Sequence, residues 1–129
     1  MMKLKILLIL LVATPCFVQA QSLKKKYLGL YQGQIPAFKM SVGEQVVQIP
    51  ETNISIQLNA DQTALESLNT LSENAYFSIE KEDKQRIVLQ VKFASTNIVH
   101  SYIVYKKEKR LERKGIYPQP DVFLMQKKQ

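Results

Sequence analysis

The chain has 129 residues, of which 46% are hydrophobic, and it carries one cysteine, no tryptophan and a formal net charge of +7. That length suits a single domain with its own core, and the apolar fraction is that of a globular chain rather than a disordered one. One cysteine excludes a disulfide scaffold, and four scattered glycines, Gly29, Gly33, Gly43 and Gly115, leave no glycine-rich phosphate loop.

Lys3 and Lys5 precede an unbroken apolar run over residues 6–12, and Val18-Gln19-Ala20 supplies a cleavage site. Basic, apolar and small in that order is a secretory signal peptide, with an apolar run too short to span a bilayer. The expected division is a signal peptide over 1–20, cleaved after Ala20, and a single domain over 21–129. The only cysteine, Cys16, lies inside the leader, so a domain starting at Gln21 has neither a thiol nucleophile nor a thiolate metal site. Lipidation at Cys16 is one alternative, although Ala13-Thr14-Pro15 places a proline at the scissile bond; an uncleaved anchor is the other. A cysteine-free exported domain fits a bacterial periplasm or the cell exterior better than the disulfide-rich eukaryotic secretory world. In that setting Asn53-Ile54-Ser55 reads as a chance triplet in a strand rather than a glycosylation acceptor.

Tyr27, Gly29, Tyr31, Gly33 and Ile35 alternate on one face of a first strand, which Pro36 ends. Residues 37–42 and 45–49 predict two further strands, stopped by Gly43 and Pro50. Ile54, Ile56 and Leu58 alternate with polar residues and mark a half-buried strand, followed by a turn at Asn59-Ala60-Asp61-Gln62. Residues 64–75 fit two readings. Thr63 with Glu66 matches a capping box, and Ala64, Leu65, Leu68, Leu71 and Ala75 share a helical face. Thr63, Leu65 and Ser67 also alternate, as a strand after a hairpin turn would. Beyond them come a strand over 76–80 with Phe77 and Ile79 inward, a polar turn at 82–85, and the strongest alternation in the chain, Ile87, Leu89, Val91 and Phe93. Residues 98–105 are apolar and aromatic on both faces, Leu111 centres a returning strand, 115–121 is a proline-containing loop, and 122–126 closes the domain. The prediction is a mainly β fold: about eight short antiparallel strands in a meander closed into a small barrel, with one short helix near 64–75 as the variant.

Tyr31-x-Gly33-x-Ile35-Pro36, then Ile54-x-Ile56-x-Leu58-Asn59-Ala60-Asp61-x-Thr63, then Tyr102-x-Val104-Tyr105 and Val122-Phe123-Leu124-Met125-x-Lys127, follow one another in an order that resembles the NlpE-type envelope lipoproteins, a copper-resistance and envelope-stress family, and more loosely other lipocalin-like barrels. The resemblance implies a small barrel over nearly the whole exported chain. The family's Cys-x-x-Cys would follow the motif's proline, where this chain has Ala37-Phe38-Lys39-Met40.

The chemistry-bearing residues are few. His100 is the sole histidine and sits in an apolar strand, where a packed imidazole is expected. Met40 and Met125 read as gap-fillers rather than copper ligands, and Ser101 has no acid partner for a triad. Neither catalytic residues nor a metal or cofactor site is predicted. The one charged feature is basic. Lys106, Lys107, Lys109, Arg110, Arg113 and Lys114 crowd a hairpin end, and Lys24-Lys25-Lys26 and Lys127-Lys128 lie near the exported chain's ends. Such a patch attracts an anionic surface, a lipid headgroup or an acidic envelope protein, whereas nucleic acid is not expected at this address. The composition therefore predicts a non-enzymatic envelope binding or interaction module, with a lipocalin-like carrier of a small molecule as the alternative. The discriminating feature is whether Tyr27, Tyr31, Phe77, Phe93 and Tyr102 point inward and fill the barrel.

Overall fold

The computed structural model describes residues 22–116 and 118–127. The leader, Cys16 and the cleavage position after Ala20 lie outside the described residues. A 3-10 turn over Lys25–Tyr27 leads into ten strands: β1 (Gly29–Ile35), β2 (Phe38–Val42), β3 (Gln45–Ile49), β4 (Thr52–Leu58), β5 (Thr63–Leu68), β6 (Leu71–Glu82), β7 (Arg86–Phe93), β8 (Val99–Tyr105), β9 (Arg110–Arg113) and β10 (Val122–Gln126). Eight of them, β1-β10-β9-β8-β7-β6-β5-β4, form a closed antiparallel barrel. Among the described residues no helix is long and apolar enough to cross a membrane.

The expected meander is modified at one place. Strands β2 and β3 pair only with each other and form a separate two-stranded arm. Within the barrel β1 runs directly beside β4, from Gly29↔Leu58 to Ile35↔Thr52. Pro36 and Pro50 flank the arm, and neither can donate to a ladder, so the pairing breaks on both sides.

Residues 64–75 are strand, turn and strand. Asp61 accepts from the Thr63 backbone N–H at 3.1 Å and from its hydroxyl at 2.5 Å, so this threonine closes an Asx turn instead of capping a helix. Alternation then turns Ala64 and Glu66 into the barrel and leaves Leu65 and Leu71 exposed. Isolated exposed leucines are tolerated on a surface, so the helical spacing of the apolar residues carried little energetic weight.

Inward side chains from every barrel strand form one core. Tyr31, Ile56, Leu89, Val91, Tyr102, Val104, Leu111 and Leu124 are fully shielded from solvent. Leu23 and Tyr27 close the end at which the chain enters, and the Tyr31 hydroxyl donates to the Tyr27 carbonyl at 2.7 Å. That end also holds the β4–β5, β6–β7 and β8–β9 turns and the end of β10, because connections alternate between ends in an antiparallel barrel. The arm, the β7–β8 turn and the loop before β10 lie at the other end. The seam between β1 and β10 is short, pairing Tyr31↔Gln126 and Gln32↔Met125. A Cβ on Gly33 would stand 2.6 Å from the Phe123 carbonyl oxygen, so this glycine permits the closing strands to meet.

Candidate functional site

The six basic residues crowded in sequence between 106 and 114 do not form one surface. Lys106 pairs with Glu82 at 2.7 Å. Lys114 pairs with Glu112 at 3.2 Å and Asp121 at 3.4 Å, and its ammonium is held above its ordinary pKa chiefly by the Glu112 hydrogen bond. Arg110 lies flat on the outer face, 4.4 Å above the Phe123 ring and 5.1 Å from the Tyr105 ring. Its Nε has no hydrogen-bond partner among the described residues. Arg113 turns into the barrel. Lys107 and Lys109 are left exposed on the turn, with Glu108 between them.

Arg113 reaches Glu66 of β5, with Nε 2.7 Å from Oε1 and Nη2 3.2 Å from Oε2. The Tyr102 hydroxyl donates to the same carboxylate at 2.7 Å, and Arg113 Nη1 donates to Gln119 Oε1 at 2.5 Å. Burial and the adjacent Glu66 charge push the Tyr102 hydroxyl well above its ordinary pKa. Period-two alternation in β5, β8 and β9 aims all three side chains at the interior, and the Glu66 carboxylate together with Gln119 accepts from the guanidinium. His100 packs edge-on against Phe93, with ring centroids 4.8 Å apart, and its pKa is lowered first by burial and then by the Arg113 charge. The residues with soft or imidazole donors stand apart: Met40 is on the arm, Met125 on the outer face of β10, and His100 inside the barrel.

A different basic site is assembled at the opposite end. Lys25, Lys26, Leu28, Lys109, Met125 and Lys127 line an open cleft of about 820 Å³, with Glu108 as its one acidic residue among the described residues. Three chain segments meet here, and hydrogen bonds hold them together. The Gln126 side-chain amide donates to the Lys26 carbonyl at 3.0 Å and to the Leu28 carbonyl at 2.9 Å. The Gln126 backbone N–H donates to the Lys109 carbonyl at 3.2 Å, and that of Lys127 to the Leu30 carbonyl at 2.8 Å. Lys109 itself adopts φ 51°, the left-handed conformation that ends the β8–β9 turn. The backbones that carry these lysines are therefore joined by hydrogen bonds, and the Lys26 ammonium lies 5.1 Å over the Tyr27 ring. Sequence reading separated these residues because Lys25-Lys26, Lys109 and Lys127 lie far apart in the chain. Only their occurrence as short basic runs near both ends of the domain hinted at a shared site.

A depression of about 460 Å³ lies over the outer face of β1 and β4, where the Gln34 amide donates to Asn53 Oδ1 at 3.2 Å.

Comparison with protein-family models, curated proteins and solved structures finds no match to this chain. The closed eight-stranded antiparallel barrel agrees with the fold implied by the sequence resemblance, and no comparison supports membership of the NlpE-type or lipocalin families.

Proposed function

We propose that this chain is an exported bacterial envelope protein acting as a non-enzymatic binding module, which engages an anionic partner through the cleft of Lys25, Lys26, Lys109 and Lys127. The observation that carries this reading is that cleft: among the described residues, four lysines and one glutamate from three segments whose backbones are hydrogen-bonded together. Exposed charges of one sign at a concave site raise the local concentration of the opposite charge and speed encounter. The carrier alternative draws less support, because Tyr27, Tyr31, Phe77, Phe93 and Tyr102 are all buried in the core and occupy the space an interior ligand would need. The copper-related alternative rests on the NlpE resemblance, whose thiol pair would fall at the start of the arm, on Ala37-Phe38-Lys39-Met40.

Titration of polyphosphate into the purified protein at low and high salt tests the reading. The wild type is expected to bind with an affinity that falls steeply with salt, since the Debye length shrinks from about 30 Å at 0.01 M to about 3 Å at 1 M. Lys25→Glu/Lys26→Glu/Lys109→Glu is expected to abolish binding, whereas His100→Ala leaves it intact. Equal binding by the triple variant overturns the proposal. N-terminal mass mapping of protein from the producing cell checks the export half, with Gln21 expected as the first residue.

A further inference from the structure

We infer that the anionic partner of the lysine cleft is the headgroup layer of an anionic phospholipid membrane, with apolar side chains beside the cleft entering the interface; this inference rests on the proposed function above. A soluble polyanion requires charge alone. This site pairs charge with exposed apolar groups. Met125 lines the cleft and is 56% exposed, and Leu28 contributes its half-buried side chain to the floor. Phe123, two residues earlier on β10 and therefore on the same outer face, is 47% exposed. Arg110 lies over that ring and extends the cationic border along the strand.

An exposed Met or Phe is unremarkable alone, but a contiguous apolar strip edged by cations is the pattern of surfaces that sit in the headgroup region of a bilayer. The neighbouring bonds point the same way. Arg110 is stacked on the Phe123 and Tyr105 rings rather than ion-paired among the described residues, so its positive charge stands uncompensated beside the apolar strip, although its Nε is buried. The open volume of about 820 Å³ admits a headgroup phosphate between the lysines. The charge and apolar groups are also joined structurally, since Gln126, next to Met125, is the residue that ties Lys26 and Lys109 into place.

The test measures co-sedimentation of the purified protein with vesicles mixed from phosphatidylglycerol and phosphatidylcholine, with phosphatidylcholine vesicles and free polyphosphate as parallel arms. The expected result is partition onto the anionic vesicles and not onto the neutral ones. Lys25→Gln/Lys26→Gln/Lys109→Gln should lower partition by about fivefold per lysine, hence about a hundredfold in all. Phe123→Ser should lower vesicle affinity several-fold relative to polyphosphate affinity, and thermal unfolding confirms that each variant is folded. Tight polyphosphate binding without vesicle partition overturns the membrane inference and leaves the anion-binding reading standing, and an unchanged affinity ratio for Phe123→Ser overturns the interfacial role. Failure to bind either probe overturns both.

Discussion

Glu66 and Arg113 are each about 95% shielded at the side chain, and their ion pair spans β5 and β9 across the barrel interior. Removing one partner strands the other's charge in a medium that solvates it poorly, which typically costs about 3–5 kcal/mol. Glu66→Ala is therefore expected to destabilise by that amount in urea unfolding, while Glu66→Leu combined with Arg113→Met recovers most of the loss, because two apolar side chains strand no charge. A loss in the double variant equal to the sum of the two single losses would show that the two residues are not coupled and would overturn this account. His100 feels the charges of this pair: burial first and then the Arg113 charge lower its pKa, against the Glu66 and Glu73 charges, which raise it. Its folded pKa lies below the ordinary 6.5, so the unfolded chain takes up the proton first. Stability contributed by the neutral imidazole is complete above pH 6.5 and is lost as pH falls towards the folded pKa. Urea midpoints measured from pH 7.5 to 5 should fall more for the wild type than for His100→Asn.

At the scale of elements, the arm of β2 and β3 stands apart from the barrel. Its strands pair with each other alone, and Val42, Val46 and Val47 are exposed. A two-stranded ribbon is marginally stable in water, so the arm is expected to be the first segment to open. Ile35 lies opposite Thr52 in the β1–β4 pairing, so a two-residue Asn-Gly turn can join these strands once residues 36–51 are removed. The shortened chain should keep a β-type circular dichroism spectrum and a cooperative melt. Its expected loss is about 1–2 kcal/mol, mainly from Phe38, which packs partly against the core. A chain that no longer folds would make the arm part of the barrel's folding unit. Residues 64–75 show why spacing alone left two readings open. The apolar positions satisfy both periods, and burial of Glu66 rather than of Leu65 was decided by a partner 47 residues away.

The whole molecule depends on a seam. Among the described residues two register pairs and the Lys127–Leu30 backbone bond join the β1 and β10 segments, yet they convert an open sheet into a barrel and bury the edges that would otherwise pair with other chains. Gly33→Ala places a methyl group against the Phe123 carbonyl, so a marked drop in melting temperature is expected, with Gly43→Ala, where space is open and only the left-handed φ of 63° opposes a side chain, as the milder comparison. Melting temperatures that fall equally would mean the seam adjusts freely. The strand positions, most turns and the small-barrel architecture were legible in the sequence, because period-two alternation and turn residues act over a few neighbours and their energetics are local. Residues 87–93 needed no tertiary information to be placed as a half-buried strand. Closure, by contrast, joins residues almost a hundred positions apart, and it brought Lys25, Lys26, Lys109 and Lys127 around one cleft. Pairing between strands further decided that Arg113 meets Glu66 and that Lys106 meets Glu82. Linear charge density records how many cations a segment carries; which of them face one another is set by the strand register, and the register is fixed only when the core packs.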